Sequence, residues 1–157
     1  MPDPYVALEA AIEPGRAVFV DTSVVLAYVV GAEATSDLAR QLFDAFAATG
    51  RNPVAVSAVT VAELLVRPFR RGSSAVATAE GFLRHFGDLR TVDVTYAVAR
   101  EAARIRAATD LPMPDTLIVA SAVATDTNVL VTNDRAWPRR LGEVLPSLSI
   151  VVLSDLA

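Results

Sequence analysis

Short, uninterrupted hydrophobic runs alternate along this chain with longer segments in which hydrophobic residues recur at helical spacing. The runs are typical of strands that are buried on both faces, and they occupy positions 17–20, 54–56, 89–94, 128–131 and 149–153. The longer segments predict helices at 5–12, 34–49, 61–66, 73–86, 96–109 and 115–125, and an apolar stretch at 24–31 follows the first run. Strands that alternate with helices predict an α/β fold with a mostly parallel sheet.

Length and composition indicate one globular domain. The chain has 157 residues, of which 53% are hydrophobic and 20% are charged, and this excludes a disordered chain. We interpret residues 1–157 as a single domain in which 1–16 form a short lead-in. The longest uncharged runs, such as 22–32, are about half of the ~20 residues that a bilayer span needs. No basic residue precedes Arg16 and cysteine is absent, so we expect a cytoplasmic protein with no signal peptide, membrane contact or disulfide.

The charged residues exclude some functions and restrict others. The formal net charge is −4, and all 14 basic residues are arginine. The absence of lysine excludes Schiff-base chemistry on lysine and a P-loop. A net acidic chain is not expected to bind nucleic acid through its bulk charge. Such binding would need a local cluster of arginines or the positive charge of a metal ion.

Four acidic residues stand in hydrophobic surroundings. Asp21 directly follows the first predicted strand, and Asp134 comes shortly after the fourth. Glu63 interrupts an apolar stretch, and Asp115 opens another one just after Pro114. Ligands of parallel α/β proteins bind beyond the carboxyl ends of the strands, where we expect Asp21 and Asp134 to project.

Carboxylates that converge repel one another, and a divalent cation with a preference for oxygen ligands, Mg²⁺ or Mn²⁺, removes that repulsion. Such an ion activates water and holds a phosphodiester. Neither a cysteine nor a nearby histidine offers a nucleophile, so water is the natural one. Neighbouring polar side chains are expected to orient the ligands by hydrogen bonds, namely Thr22, Ser23, Thr132 and Asn133.

Each acid also has a simpler interpretation. Asp21 could be only a helix N-cap, and Asp115 only an acid that the helix dipole favours. Glu63 could be half of a capping box that begins at Thr60, and Asp134 could be a turn residue. The combination of all four favours a metal site over these separate roles.

The motifs around the four acids resemble those of PIN domains. The resemblance rests on Val20-Asp21-Thr22-Ser23, Ala62-Glu63-Leu64, Pro114-Asp115-Thr116 and Val131-Thr132-Asn133-Asp134, in this order from about residue 17 to 153. The size of the chain is similar to that of the VapC toxins of bacterial type II toxin–antitoxin systems. Two features depart from the family pattern: the lead-in is longer than in many such toxins, and Trp137 stands where phenylalanine is common.

The resemblance implies a Rossmann-like three-layer α/β/α sandwich and an Mg²⁺- or Mn²⁺-dependent endoribonuclease. Asp21 and Asp115 would be the principal metal ligands, and Glu63 and Asp134 would complete the catalytic pocket directly or through water. It also implies an RNA substrate, a small antitoxin partner and a homodimer. Two other functions stay open: a catalytically silent PIN-like module that binds RNA or protein, and a phosphoacceptor domain, which normally needs the lysine that this chain lacks.

Further residues have less specific interpretations. Arginines that follow two of the acids could bind the phosphates of RNA, namely Arg67, Arg70, Arg71 and Arg135, or they could be solvated loop charges. Trp137 could stack on a base or anchor a loop to the core.

Overall fold

The computed structural model describes residues 2–157, and its centre is a five-stranded sheet. All strand pairs are parallel, and the spatial order is β3-β2-β1-β4-β5. The strands are β1 (Val18–Val20), β2 (Val54–Ser57), β3 (Leu89–Val92), β4 (Val129–Thr132) and β5 (Ser149–Val152). The five predicted strands are therefore confirmed, with ends that differ by one or two residues.

Helices cover both faces of the sheet, which confirms the three-layer α/β/α prediction. They are α1 (Pro4–Ala11), α2 (Thr22–Val30), α3 (Ser36–Arg40), α4 (Ala58–Arg71), α5 (Ser73–His85), α6 (Tyr96–Thr109), α7 (Met113–Ala124) and α8 (Trp137–Leu141). Helix α3 continues as a π-helix over Gln41–Ala47, and a 3₁₀ turn follows β5 at Leu153–Asp155. No helix within residues 2–157 combines the length and the apolar character that crossing a membrane requires.

Alternate residues of the short strands supply two hydrophobic cores. Val18 and Val20 of β1 lie in the core under α1, α2 and α3, whereas Phe19 lies in the core under α6, α7 and α8. In β4, Val131 lies in the first of these cores and Leu130 in the second. Since successive side chains of a strand point to opposite faces, a run with no polar residue matches a sheet that is covered on both sides.

The beginning of α4 differs from the prediction. Ser57 is the N-cap, and its hydroxyl accepts a hydrogen bond of 3.1 Å from the Val59 N–H. Thr60 therefore lies inside the first turn, and the capping box of Thr60 with Glu63 is wrong. The helix also continues through Pro68 to Arg71, whereas a break was expected near Pro68.

The connections on either side of β1 create a crevice at one edge of the sheet. The chain leaves β1 toward β2 on one side, and β4 occupies the other side. The Asp21 N–H donates to the Val131 carbonyl at 2.9 Å, so the ladder between β1 and β4 continues to the first acid. Ligands of open α/β sheets bind at such a topological switch point.

Candidate metal centre

Four different elements bring the predicted acids to the carboxyl edge of the sheet. Asp21 is the N-cap residue of α2, Glu63 lies in the second turn of α4, and Asp115 lies in the first turn of α7. Asp134 lies two residues after the end of β4, in the connection to α8. Their exposure is graded: Asp21 is 6% exposed, Asp115 is half-buried, and Glu63 and Asp134 are exposed. The site therefore has a buried floor and a rim that is open to solvent.

Two hydroxyl groups hold the buried carboxylate of Asp21. Ser23 Oγ donates to Asp21 Oδ2 at 2.6 Å, and Thr132 Oγ1 donates to the same oxygen at 2.9 Å. The Ser23 hydroxyl accepts the Asn133 N–H at 3.1 Å, and the Thr132 hydroxyl accepts the Asp134 N–H at 3.1 Å. Burial raises the pKa of Asp21, and these hydroxyls, with the N–H groups of the first turn, offset part of that rise. Each hydroxyl thus connects Asp21 to the segment that carries Asp134.

A second pair of hydroxyls joins α2 to α4 under Glu63. Thr22 Oγ1 donates to Glu63 Oε1 at 3.0 Å and lies 2.9 Å from Thr60 Oγ1. Thr60 is fully buried and Thr22 is 6% exposed. The contact orients an otherwise exposed glutamate. Thr60 is a site residue that the sequence analysis missed, because its spacing from Glu63 was interpreted as a capping box.

Burial and the negative charges of the other three acids raise the pKa of Asp115. Its pKa is raised to about 6, first by burial and then by the negative charges of Asp21, Asp134 and Glu63, in that order. Like charges disfavour ionisation of a neighbouring carboxyl group. The charges of the other three acids therefore act at Asp115.

The donor set at this edge is suited to a hard divalent cation. All four groups are carboxylates, and Mg²⁺ and Mn²⁺ prefer oxygen ligands, with water completing the shell. As the side chains stand, no three acidic or histidine residues within positions 2–157 are close enough to hold a metal ion together. The rim residues Glu63 and Asp134 are exposed, whereas Asp21 is buried and held by Ser23 and Thr132.

The structure agrees with the simpler interpretations of Asp134 and Asp115 as turn and helix-start residues, but not with that of Asp21 as only an N-cap. Although Asp21 occupies the N-cap position, its side chain makes no capping hydrogen bond, because Ser23 and Thr132 engage the carboxylate. Asp134 does shape a turn, since its Oδ1 accepts the Ala136 N–H at 2.8 Å. Asp115 lies in the first turn of α7, where the helix dipole favours an acid. Capping alone therefore does not account for Asp21.

The arginines proposed to bind phosphate lie in two different settings. Arg67, Arg70 and Arg71 are exposed on the part of α4 that follows Glu63, and none of them forms an ion pair within residues 2–157. Arg135 pairs with Asp155 at 2.7 Å. Arg135 is therefore held by the C-terminal turn, whereas the α4 arginines are accessible to a ligand.

Trp137 anchors the segment after Asp134 to the core. Its side chain is 1% exposed and packs in the cluster under α6 and α7, so it cannot stack on a base as placed. The indole N–H is buried and completes no hydrogen bond of ordinary geometry, yet it lies close enough to the Asp115 carboxylate to lower the pKa of that group. The sequence analysis did not predict α8 or assign Trp137 to the site.

Two surface cavities of about 180 Å³ each lie away from the acids. One is lined by Arg16, Val129 and Ser149, and the other by residues that include Asn128 and Leu148. These residues precede or begin β1, β4 and β5, at the amino edge of the sheet. The acids instead lie at the carboxyl edge, where Glu63 and Asp134 are exposed to solvent.

Several solved structures share this fold. VapBC2 from Rickettsia felis, bound to a DNA fragment from its promoter, aligns with a TM-score of 0.64 at 19% identity, over 86% of this chain and 97% of that one. FitAcB from Neisseria gonorrhoeae aligns with a TM-score of 0.63 at 18% identity, over 87% and 98%. Mycobacterium tuberculosis VapC20, a toxin that cleaves the sarcin–ricin loop, aligns with a TM-score of 0.58 at 22% identity, over 73% and 87%.

No curated protein sequence matches the chain at a significant level. The sequence profile of the PIN domain family does match, over residues 18–142. The matched range runs from the first residue of β1 into α8 and contains all four acids. The protein belongs to the PIN domain family.

Proposed function

We propose that this protein is a Mg²⁺- or Mn²⁺-dependent endoribonuclease that hydrolyses RNA phosphodiester bonds, and that it is the toxin of a VapBC-type toxin–antitoxin pair. The observation that carries the proposal is the convergence of Asp21, Glu63 and Asp134 on Asp115, whose pKa they raise. Membership of the PIN family and the shared fold with a toxin that cleaves the sarcin–ricin loop support it.

The four catalytic carboxylates would have different roles in metal binding, according to their burial. Asp21 and Asp115 would be the principal metal ligands; they are the two more buried acids, and Ser23 and Thr132 hold Asp21. Glu63 and Asp134 would complete the pocket directly or through water. When bound, the divalent ion supplies the charge that holds the phosphate and activates water as the nucleophile. Thr22, Ser23, Thr132 and Asn133 keep the carboxylates oriented by the hydrogen bonds described above.

Loss of either principal ligand is expected to abolish RNA cleavage. Asp21→Asn and Asp115→Asn keep the shape of the side chain but remove the charge, so each should lower the cleavage rate at least about 100-fold. The measurement is cleavage of an RNA substrate by purified protein with Mg²⁺, with Mn²⁺ and with EDTA. Asp93→Asn, at an exposed acid beyond β3, is the matched control and should cleave like the wild type.

Equal cleavage by wild type and both site variants would reject the assignment. Binding of RNA without cleavage under every metal condition would instead favour the catalytically silent module.

The raised pKa of Asp115 makes the metal-free protein sensitive to pH. The folded-state pKa is about 6, against an ordinary value of 3.8, so folding favours the protonated form. This stabilisation is fully present below about pH 4 and is lost as the pH rises through 6. Asp115→Asn cannot ionise, so the variant does not lose stability as the pH rises. At about pH 7.5 its free energy of unfolding should exceed that of the wild type by on the order of 1–2 kcal/mol, a value that allows for solvent screening.

Urea unfolding in EDTA at several pH values measures this difference. The advantage of the variant should shrink toward pH 4, and addition of Mg²⁺ should stabilise the wild type more than the variant. A difference between the two proteins that does not change with pH would contradict the electrostatic interpretation.

The arginines of α4 would bind the phosphates that flank the scissile bond. Arg67 lies four residues after Glu63, on the same side of the helix about 6 Å along the axis, and Arg71 lies one further turn along, about 12 Å from Glu63. Arg70 lies beside them, and all three are exposed. A local basic stripe of this kind would give RNA affinity to a chain whose net charge is −4.

Replacement of Arg67, Arg70 and Arg71 by alanine should weaken RNA binding by about 10-fold or more at low salt, and the loss should diminish as salt increases. Arg84→Ala removes another exposed arginine, from α5, and should leave binding unchanged. Filter binding with a catalytically inactive background measures both. If the triple variant binds RNA as tightly as the Arg84 control, the stripe does not contact the substrate, and Arg135 becomes the next arginine to replace.

Exposed apolar side chains support an antitoxin partner and a homodimer. Helices α2 and α4 contact each other and expose Val29, Val30, Val66 and Phe69, of which Phe69 is 68% exposed. Large apolar side chains grouped on a surface mark protein interfaces. The structures that share the fold include toxins in complex with their antitoxins.

Phe69→Asp is expected to abolish co-purification with the protein encoded by the neighbouring reading frame, because a charge would be buried in the contact. Tyr96→Asp, at a residue that is 85% exposed on α6, is the control. Light scattering after size exclusion should give a mass near twice the 16.6 kDa of the chain. A monomer that retains its partner despite Phe69→Asp would contradict both assignments.

A further inference from the structure

The turn that follows β5 binds the segment that carries the fourth acid. The Ser154 hydroxyl donates to the Asn133 carbonyl at 3.2 Å. The guanidinium of Arg135 donates to the Ser154 carbonyl, and its Nε pairs with Asp155 Oδ1 at 2.7 Å. Two consecutive residues of the turn therefore bind the residues on either side of Asp134.

The turn that makes these contacts is itself anchored in the core. Leu153 is fully buried in the core under α1, α2 and α3, and Leu156 packs against the same cluster. The Leu156 N–H donates to the Leu153 carbonyl at 3.0 Å, which closes the turn. Strand β5 pairs with β4 so that Val152 lies opposite Thr132. The turn therefore begins beside the point at which the chain leaves β4, and its polar groups lie on a buried base.

The segment of Asp134 is held on its inner side as well. The Asp134 N–H donates to Thr132 Oγ1, and the Asn133 N–H donates to Ser23 Oγ, both at 3.1 Å. One carboxylate oxygen of Asp134 accepts the Ala136 N–H, which leaves the other for a ligand. The backbone at Asp134 therefore lies between two sets of contacts, one from the hydroxyls beside Asp21 and one from the C-terminal turn.

Stability of the fold does not account for the contacts of the turn. The side chains of Arg135 and Asp155 are 68% and 56% exposed, and exposed ion pairs add little to folding stability. The pairing of β5 with β4 and the burial of Leu153 attach this part of the chain without them. The match to the PIN profile ends at residue 142, so it assigns no role to the turn.

We propose that the C-terminal turn, Leu153–Asp155, is a positioning element for the metal centre: through Asn133 and Arg135 it holds Asp134 where its carboxylate completes the cation site. The inference rests on the proposed function, in which Asp134 serves the cation directly or through water. The turn acts only through the chain beside the acid. Hydrogen bonds that hold a metal ligand from behind orient it and raise the affinity of the site.

Replacement of Arg135 by glutamine separates positioning from charge, because the two predict opposite changes. Removal of a positive charge beside the acids would by itself tighten cation binding. Loss of the contacts to Ser154 and Asp155 should instead weaken Mn²⁺ binding, by about 10-fold in calorimetry. Arg139→Gln removes a nearby exposed arginine that forms no ion pair within residues 2–157, and this control should bind Mn²⁺ at least as tightly as the wild type.

Ser154→Ala tests the same role with no change of charge. The variant loses the hydroxyl that donates to the Asn133 carbonyl, so its Mn²⁺ affinity should fall by about 2- to 10-fold, as expected for one neutral hydrogen bond. The midpoint of urea unfolding should stay at the wild-type value in this variant and in Arg135→Gln, because the altered groups lie at the surface.

Amide hydrogen exchange in the metal-free protein reads the position of the segment directly. In Arg135→Gln and Ser154→Ala, the N–H groups of Asp134 and Ala136 should exchange about 2- to 10-fold faster than in the wild type. The Asp21 N–H donates to the Val131 carbonyl in the ladder between β1 and β4, and its exchange should not change.

Wild-type or higher Mn²⁺ affinity in Arg135→Gln would overturn the inference, and so would unchanged exchange at Asp134 in both variants. If Arg135→Gln fails to fold, Ser154→Ala decides alone. If the wild type binds neither Mg²⁺ nor Mn²⁺, the proposed function fails and the positioning role fails with it. If the wild type binds Mn²⁺ and cleaves RNA while both variants match its affinity, only the role of the turn is lost.

Discussion

A buried carboxylate between two parallel strands is the constraint on which the functional edge of this protein depends. Asp21 is 6% exposed, and removing its charge from water would be costly without compensation. The hydroxyls of Ser23 and Thr132 supply that compensation, and both engage the same oxygen. These hydroxyls also accept the N–H groups of Asn133 and Asp134. The hydrogen bonds that stabilise the Asp21 carboxylate therefore also fix the backbone at Asp134. The same hydrogen bonds thereby hold the ends of β1 and β4 in one relative position.

The other three acids lie near Asp21 and are more exposed than it is. Asp115 is half-buried and its pKa is raised by its neighbours, whereas Glu63 and Asp134 are exposed. A site of this kind combines a rigid floor, which needs little reorganisation when charge is neutralised, with a rim that can adapt to a bound ligand. Burial and repulsion raise the pKa of Asp115, and the repulsion would also be the source of the cation affinity that we propose.

The charge distribution is compatible with the RNA substrate that we propose for this acidic chain. Helix α4 carries Glu63 near its beginning and exposed arginines in its second half. Attraction for a phosphate chain would therefore be local to α4, while the net charge of −4 disfavours unspecific adhesion elsewhere. A cation at the acids would extend the positive stripe to the reacting phosphate.

Much of this architecture follows from the sequence alone. Short apolar runs predict buried parallel strands, and polar residues at their ends predict the carboxyl-edge site, because both features depend on nearest neighbours along the chain. The capping box at Thr60 was wrong for the same reason: local spacing is compatible with it, but the helix begins at Ser57, and Thr60 contacts Thr22 from a different element.

Only the tertiary structure decided how the acids are graded in burial and which donors they receive. Exposure and pKa depend on segments that are distant in sequence, as when Thr132 reaches Asp21 or Trp137 lies against the helix of Asp115. The sequence by itself determined which chemical groups are present and at which strand ends they emerge. Their mutual distances come from packing across the sheet, which no local pattern encodes.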